Sequence, residues 1–353
     1  MVIIREATDD DKVLWNNFVS KFSDSPYHLY QWKEILQHVY GYKFYYLLAE
    51  NSKRITGIFP LTIIKSKLFG TRIISIPFAD YGGPLIENSN QSPLILNSFF
   101  EYLSSNIHKV DFIEIRSPTQ PNVLSWLNEN YECGQVHYLT FIINLSNTYD
   151  HIWNFTFNKN LRNAIRKAIK NNITIFEGTF NDNFGDFYNN YLLSMKRLGS
   201  PPHNIKFFKA CHEIFGDQRM KIFLASTTKN QIIGSVIIFL GKHGIFPVYE
   251  GVDHKFKQFN PISLIFDKII EWGCENKYHY FDFGRTLHDS GVYHFKKQWG
   301  GVEVNMPYYY IGKKIPQEDP REKYKNLSSL WRKIVPIYIS KKVGHFLKGA
   351  IGH

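Results

Sequence analysis

The sequence predicts an α/β protein made of two copies of one domain, each a mixed twisted sheet flanked by helices, followed by a basic amphipathic helical tail. A chain of 353 residues is too long for one ordinary hydrophobic core and suits two domains. Strand-like and helix-like hydrophobic patterns alternate through both halves, and several residues recur at a constant offset. We therefore expect domains at residues 1–146 and 147–314, with the tail at residues 315–353.

The first domain opens with a strand pattern and two helix patterns. The strand is predicted at residues 2–6, and Thr8 caps a helix that runs to Phe22. The next helix starts at about Tyr30 and ends before Gly41. Three strands, a helix and a further strand follow, at residues 44–50, 55–64, 72–77, 92–108 and 111–116.

The same order of elements recurs in the second half at an offset of 168 residues. The recurring pairs are Tyr81 and Tyr249, Gly83 and Gly251, Lys109 and Lys277, and Glu114 and Asp282. Each copy then places a strand with an acidic residue after an amphipathic helix. Few residues are identical, so chance similarity is the alternative interpretation.

A basic helix, residues 159–170, leads into the second domain. Its apolar residues form one stripe, and its cations form another face at spacings of three and four residues, namely Lys159, Arg162, Arg166 and Lys170. Like charges at this spacing repel by roughly 0.2 to 0.5 kcal/mol per pair. Phosphate groups of a substrate would neutralise that face. A solvated helix face is the alternative.

The segment Tyr280–Gly301 combines charged side chains with aromatic rings. Its pattern predicts a strand, an exposed turn and a second strand. Asp282 and Arg285 then lie at the mouth of a strand, with Lys296 on the returning segment. A carboxylate, a guanidinium and an ammonium group beside aromatic rings suit a polar, anionic substrate. A solvated hairpin with surface charges is the alternative.

Composition favours anionic partners and a reducing compartment. The net charge of +11 suits tRNA, a nucleotide-linked substrate, coenzyme A or an acidic membrane surface. Cys133, Cys211 and Cys274 are odd in number and lack metal-ligand spacing. The N-terminus has no signal-peptide pattern, and no run approaches the roughly 18 apolar residues of a membrane-spanning helix. We therefore expect a soluble, cytoplasmic protein.

The tail alternates aromatic and aliphatic residues with Arg and Lys over residues 327–347. This is a basic amphipathic pattern. Docking on the protein's own surface is the default expectation. The alternative is peripheral contact with the inner face of an acidic membrane.

Several enzyme chemistries lack their sequence signatures. There is no GxGxxG or GxxxxGK[ST] motif before a helix, no GxSxG elbow, and no metal-binding spacing among the 14 histidines. What remains is a site of Tyr, Asp, Arg and Lys. Such a site suits positioning and charge stabilisation rather than covalent or metal-dependent catalysis.

The motifs HLYQW, GIFPL, KSKLFG and SIPFADYGGPL in the first half, and KNLRNAIRKAIK and FDFGR…SGVYHFKKQWGG in the second, resemble the FemAB-like branch of the GNAT acyltransferase superfamily. The resemblance covers roughly residues 25–310 and implies tandem GNAT-like domains. Characterised Fem proteins transfer amino acids from aminoacyl-tRNA to the stem peptide of peptidoglycan precursors. Relatives of the DFGR type include N-acyltransferases associated with exopolysaccharide export.

The resemblance also implies roles for particular residues. A Phe-Lys pair that lies by the reacting groups in Fem proteins matches Phe295 and Lys296. Lys296 would stabilise negative charge on the acyl ester, and Phe295 would shape the channel. On this basis, replacing Lys296 by Ala is expected to lower turnover without unfolding the chain.

One departure from the family pattern concerns the acyl donor. GNAT enzymes usually bind pyrophosphate with a glycine-bearing loop, whereas this chain reads HKFKQFNPIS from His254. Coenzyme A is thereby less favoured. Lys255, Lys257 and Asn260, before the next helix, remain candidates for binding the donor phosphates.

We therefore expect an N-acyltransferase that moves an aminoacyl or acyl group to an amine of a cell-envelope or polysaccharide precursor. Aminoacyl-tRNA or acyl-CoA would be the co-substrate, with no bound cofactor and no metal. Asp282 would orient or deprotonate the amine, and Arg285 and Lys296 would stabilise the oxyanion. The residues expected to bind substrate are Tyr81, Gly82, Gly83, Tyr249, Glu250, Trp299, Arg162, Arg166 and Lys170. The alternative is a non-catalytic protein that binds RNA or an envelope precursor on a degenerate GNAT scaffold.

Overall fold

The computed structural model describes residues 2–52, 54–67, 69–87, 90–107, 109–117, 119–131, 134–313 and 325–352. Cys133 and residues 314–324 of the expected tail lie outside these ranges. Cys211 and Cys274 are free thiols.

Contacts divide the chain into two compact units. The first unit comprises Met1–Tyr138, Met306–Glu322 and Phe346–His353, and the second comprises Leu139–Asn305 and Lys323–His345. The chain thus enters the second unit within one strand, Gly134–Asn144 (β7), and leaves it within another, Val302–Gly312 (β14). Neither transition lies in a loop between elements, so the division differs from the one expected at residues 146 and 314.

The first unit contains a mixed sheet covered by helices. Its strands are β1 Val2–Glu6, β2 Lys43–Asn51, β3 Arg54–Ser66, β4 Gly70–Ile74, β5 Leu85–Ile86 and β6 Phe112–Arg116. Its helices are α1 Lys12–Phe22, α2 Tyr30–Tyr40, α3 Ser92–Asn106 and α4 Pro121–Asn130. The strand order is β1-β2-β3-β4-β6, and residues 308–312 of β14 continue it beside β6. The strands and helices predicted for this half are confirmed, with ends shifted by a few residues.

The second unit repeats this plan. It includes residues 139–144 of β7. Its other strands are β8 Thr174–Gly178, β9 Met220–Ser226, β10 Ile232–Leu240, β11 Gly244–Val252, β12 Tyr280–Asp282 and β13 Thr286–Leu287. Its helices are α5 Tyr149–His151, α6 Lys159–Lys170, α7 Phe180–Leu198, α8 Ile205–Arg219, α9 Pro261–Glu275 and α10 Gly291–Lys297. The strand order is β7-β12-β11-β10-β9-β8. Its core lies between this sheet and the helices α6 and α9.

The duplication predicted from the sequence is visible in the two units. Each contains one parallel strand pair, β4 with β6 and β11 with β12, and each pair is connected through a helix of 15 residues. Lys109 and Lys277, paired by the offset, both adopt the left-handed backbone conformation, with φ of 63° and 60°. A non-glycine residue rarely takes this conformation, so its recurrence supports a shared origin for the two units.

The segment after Asp282 differs from the predicted strand, turn and strand. The returning part forms the helix α10 instead. Ser290 caps this helix, because its Oγ accepts a 3.0 Å hydrogen bond from the backbone N–H of Tyr293. Tyr293 and Lys296 are both buried, at the three-residue spacing of one helix face.

The described part of the tail forms two helices, α11 Lys325–Ile334 and α12 Ile337–Ile351. In the second unit, Lys196 donates hydrogen bonds to the backbone oxygens of Trp331 and Val335. In the first unit, Arg116 donates to the backbone oxygen of Gly352 at 2.9 Å. None of the described helices is both long enough and apolar enough to cross a membrane.

A buried carboxyl group in α9 makes the stability of the fold depend on pH. Asp267 is 1% exposed and accepts a 2.7 Å hydrogen bond from the hydroxyl of Tyr149. Burial raises the pKa of Asp267 from 3.8 to about 6, although the Tyr149 hydrogen bond opposes this. The folded state therefore holds this proton to a higher pH than the unfolded chain does, so the contribution of Asp267 is greatest below pH 3.8 and is lost as pH rises through 6.

Replacing Asp267 by Asn is expected to remove this dependence, because the amide oxygen still accepts from Tyr149 and carries no charge. At pH 7 the variant should be more stable by up to about 3 kcal/mol, the value of a pKa shift of this size. Urea unfolding at pH 4 and pH 7 measures the difference. The exposed Asp186→Asn change is the matched control, and an unchanged difference between wild type and D267N at the two pH values contradicts the prediction.

Candidate active site

The candidate site lies in the second unit, where β11 and β12 part. The two strands pair only at Gly244 with Tyr280 and Ile245 with Phe281, while β11 continues to Val252. On its other side, β11 carries a bulge against β10 between the pairs at Pro247 and Tyr249. A bulge bends a strand and re-aims its side chains, and bulges are common beside active sites. The residues directly after this bulge are therefore the first candidates for chemistry.

Glu250 follows the bulge and combines solvent access with a desolvating environment. Its residue is exposed, yet burial by surrounding protein raises the pKa of its carboxyl, and the charge of Lys296 opposes that rise. A group that is accessible and still desolvated lies in a recess rather than on a convex surface. A carboxylate with a raised pKa is a stronger base than an ordinary one once it is deprotonated.

Gly251 explains how closely this strand end approaches α7. A Cβ atom at this position would clash with the backbone of Asn190 and Tyr191. Only glycine allows this contact, which fixes the position of the Glu250 backbone.

Asp282, which was expected to orient or deprotonate the acceptor amine, is the last residue of β12 and is 2% exposed. Its Oδ1 accepts hydrogen bonds from the hydroxyl of Thr140 at 2.6 Å and from the backbone N–H of Gly284 at 2.9 Å. These bonds hold the turn that follows, where Gly284 has a φ of 68°. The geometry favours a positioning role for Asp282 at the base of the turn.

Lys296, expected to stabilise the acyl oxygen, is 6% exposed and faces the same turn from α10. Its ammonium donates to the backbone oxygens of Phe283, Gly284 and Arg285 at 2.7, 2.8 and 3.2 Å. The three N–H groups thus all have carbonyl acceptors. Lys296 fixes the turn and acts on Glu250 through its charge.

The aromatic neighbours of this turn belong largely to the core. Trp299, expected to bind substrate, is completely buried instead, and its ring packs edge-on against Phe157 at 5.1 Å between centroids. Phe295 is half-buried and packs against the same core. Arg285 is half-buried, on the turn held by Lys296.

The paired tyrosines are in different surroundings. Tyr249 is half-buried in an aromatic cluster, edge-on to Phe208 at 5.1 Å. In the first unit, Tyr81 is half-buried, whereas Gly82 and Gly83 are buried and serve as backbone anchors. The N–H of Gly82 donates a hydrogen bond to the backbone oxygen of Arg116. The backbone oxygen of Gly83 lies 3.0 Å from His28 Nε2. Burial lowers the pKa of His28 to about 4, so this imidazole is neutral at pH 7.

The loop before α9 uses its amides internally. Residues His254–Phe259 form a 3₁₀ helix in which the N–H of Lys255 donates to the Asp253 carboxylate, and the N–H of Phe256 donates to the Asp253 backbone oxygen. The backbone N–H of Asn260 donates to the backbone oxygen of Lys257, and Pro261 has no backbone N–H. A pyrophosphate site needs converging amides without competing acceptors, and a carboxylate at its centre repels it. Lys255 and Lys257 are exposed.

The cations of α6 separate into two groups. Nη1 of Arg162 donates to the backbone oxygens of Trp153 and Phe157 at 3.0 and 2.8 Å, so this side chain ties α6 to the preceding segment. Lys159, Arg166 and Lys170 are exposed. The guanidinium of Arg166 lies 5.5 Å from the ring centre of Trp153.

An exposed aromatic ring accompanies these cations. Phe155, in the π-helical turn Ile152–Thr156, is 78% exposed. No local pattern identifies this ring, because it is one Phe among 29. The bulge of β11 does have a sequence signal, since Pro247 interrupts a run of strand-forming residues. Among the described residues, no group of three or more His, Cys, Asp or Glu side chains could hold a metal ion.

A family model matches the part of the chain that contains the candidate site. Residues 156–297, which include β11, β12, α9 and α10, match the family model of the acetyltransferase (GNAT) domain. No curated protein gives a significant sequence match to the chain.

Solved structures match nearly the whole chain. The crystal structure of FemX has a TM-score of 0.65 at 14% identity, covering 92% of this chain and 100% of FemX. The C-terminal domain of a putative lysylphosphatidylglycerol synthetase from Agrobacterium fabrum has a TM-score of 0.59 at 10% identity, covering 91% of this chain and 96% of that domain. A tandem GNAT protein from the clavulanic acid biosynthesis pathway has a TM-score of 0.52 at 8% identity, covering 89% and 98%. The chain therefore has a tandem GNAT fold.

Proposed function

We propose that this protein, whose residues 156–297 match the family model of the acetyltransferase (GNAT) domain, is an N-acyltransferase that moves an aminoacyl group from aminoacyl-tRNA to an amine of a cell-envelope or polysaccharide precursor. The loop before α9 supports tRNA over coenzyme A as the donor, because the amides of Lys255 and Phe256 donate hydrogen bonds to Asp253 within the loop. A coenzyme A pyrophosphate would have to compete with that carboxylate. One of the matching structures belongs to a putative lysylphosphatidylglycerol synthetase, whose name refers to a product that carries a lysyl group.

The surface around α6 offers what a tRNA acceptor end requires. Lys159, Arg166 and Lys170 are exposed cations for backbone phosphates. Phe155 is an exposed ring on which an unpaired base can stack. These contacts would place the 3′ end of the tRNA on the second unit.

In the proposed reaction the acceptor amine attacks the carbonyl carbon of the aminoacyl ester. Glu250 takes the proton that the amine loses, and the bond from that carbon to the ribose oxygen breaks as the amide forms. The ribose oxygen leaves with a proton, for which protonated Glu250 is the source. Arg285, on the turn held by Lys296 and Asp282, supplies positive charge near the developing oxyanion.

A paired binding titration tests the donor. We expect charged tRNA to bind at physiological salt more tightly than uncharged tRNA, and acyl-CoA to bind weakly. Tight binding of acyl-CoA together with transfer from it would replace tRNA as the donor. Binding of tRNA without transfer to any amine would favour the non-catalytic alternative.

Replacing Arg166 and Lys170 together by Gln is expected to weaken tRNA binding about tenfold or more. The slope of log affinity against log salt should flatten by roughly 0.7 to 0.9 per lost phosphate contact. The double variant Lys43→Gln with Lys65→Gln removes two exposed lysines of the first unit and is the matched control. Equal salt slopes for the two double variants would remove α6 from the tRNA interface.

A further inference from the structure

The tail docks on the second unit through small residues and leaves several of its large apolar residues in solvent. Ser340 is 2% exposed, and a Cβ atom at Gly344 would clash with Pro202. Ser328 donates a hydrogen bond to the backbone oxygen of Leu198. The contacts of α11 with Lys196 use the backbone oxygens of the tail rather than its side chains.

The opposite side of these helices carries a set of exposed apolar side chains, which we call the outer tail face. Its members are Leu330, Ile334, Tyr338 and Ile339, which are 53%, 66%, 66% and 38% exposed. Within α12, the stripe of Ser340 and Gly344 points inward, and Tyr338 and Lys342 fall on the opposite side of the helix. An amphipathic helix packed only for internal stability would have the reverse orientation.

The charges on this face are of one sign. Arg332, Lys333 and Lys342 are exposed, whereas the ammonium of Lys341 lies 5.7 Å from the ring centre of Tyr188. The sequence has no Asp or Glu between residues 325 and 352. Bulky apolar and aromatic side chains interspersed with cations are typical of helices that lie in the headgroup region of an anionic bilayer. A second copy of the chain would bring two such cationic faces together, which like-charge repulsion disfavours.

We propose that the outer tail face binds the surface of an anionic lipid bilayer. The apolar side chains enter the boundary between headgroups and acyl chains, and Arg332, Lys333 and Lys342 contact the acidic headgroups. This inference does not depend on the acyl-transfer reaction, because it concerns only the tail and the lipid surface.

Sedimentation of the full-length protein with phosphatidylcholine vesicles, with and without phosphatidylglycerol, tests the proposal. We expect binding to the acidic vesicles that weakens with salt, and little binding to the neutral ones. Ile334→Ser with Tyr338→Ser, and separately Lys333→Gln with Lys342→Gln, should each lower the partition coefficient about tenfold or more. All four positions are exposed, so thermal unfolding of both double variants should match the wild type.

Matched controls distinguish binding by the outer tail face from nonspecific adsorption of the protein to vesicles. Leu94→Ser changes an apolar residue that is 51% exposed in the first unit, and the Lys43→Gln, Lys65→Gln double variant removes two cations there. Both controls should bind acidic vesicles like the wild type. Absence of binding by the wild type, or equal losses in the control and tail variants, overturns the proposal. A third outcome is possible: the wild type does not bind lipid, sedimentation velocity shows a dimer, and the Ile334→Ser, Tyr338→Ser variant is a monomer. That outcome would identify a second copy of the chain as the occupant of the outer tail face.

Discussion

Replacing Glu250 by Gln is expected to lower kcat about a hundred- to ten-thousandfold, the usual contribution of a positioned general base. The amide is isosteric with the carboxyl, but it cannot take the proton of the attacking amine. Because the residue is exposed, the substitution should leave the melting temperature close to that of the wild type.

The pH dependence of the reaction gives a second measurement of the same group. Burial raises the pKa of Glu250 above its ordinary value of 4.5, and only the deprotonated form acts as a base. The kcat/KM of the wild type should therefore fall as pH drops through a pKa above 4.5, and that acid limb should be absent in the residual activity of E250Q. Glu213→Gln, at an exposed carboxylate of α8, is the control and should retain both rate and profile. Wild-type kcat in E250Q would exclude Glu250 as the base.

Replacing Lys296 by Met should destabilise the protein by about 3–5 kcal/mol and abolish transfer, because buried carbonyls lose a charged donor. The ammonium makes three hydrogen bonds to the turn at residues 283–285, at 2.7 to 3.2 Å. Without it, the turn that carries Arg285 loses its anchor, and the charge that acts on Glu250 is removed.

Urea unfolding and thermal melting measure this effect directly. Lys297→Met changes the next residue, which is exposed, and should cost little stability. The family resemblance alone predicts a fully folded Lys296 variant with low turnover. A K296M protein with wild-type stability and low turnover would therefore support that earlier expectation over the anchoring role.

The parts of the fold that local patterns determine were predictable. Alternating apolar residues predicted the strands β2 and β3. Gly41 predicted the end of α2, where it forms a left-handed cap with φ of 65°. The helix α10 was missed, because its aromatic and basic residues suit a strand as well as a helix. Its helical state depends on the Ser290 cap and on burial of Tyr293 and Lys296 against other segments.

The candidate site was predictable in its location but not in its roles. The sequence placed Asp282, Arg285 and Lys296 together, and the structure brings them to one turn. Which of them contacts water and which contacts backbone depends on packing between segments distant in sequence. Asp282 accepts from Thr140, 142 positions away, and no local pattern reveals that bond. Glu250 was expected only to bind substrate, because the desolvation that raises its pKa is a property of the folded chain.

The return of the chain through β14 has a consequence for biosynthesis. Residues 308–312 pair with β6 at Phe112–Arg116, so the sheet of the first unit lacks a strand until the ribosome has made the chain up to residue 312. A nascent or severed fragment ending near residue 146 would leave the edge of β6 without this partner, and open strand edges promote aggregation. The amino-terminal unit is therefore completed last although it is synthesised first, and it should be recovered intact only as part of the full chain.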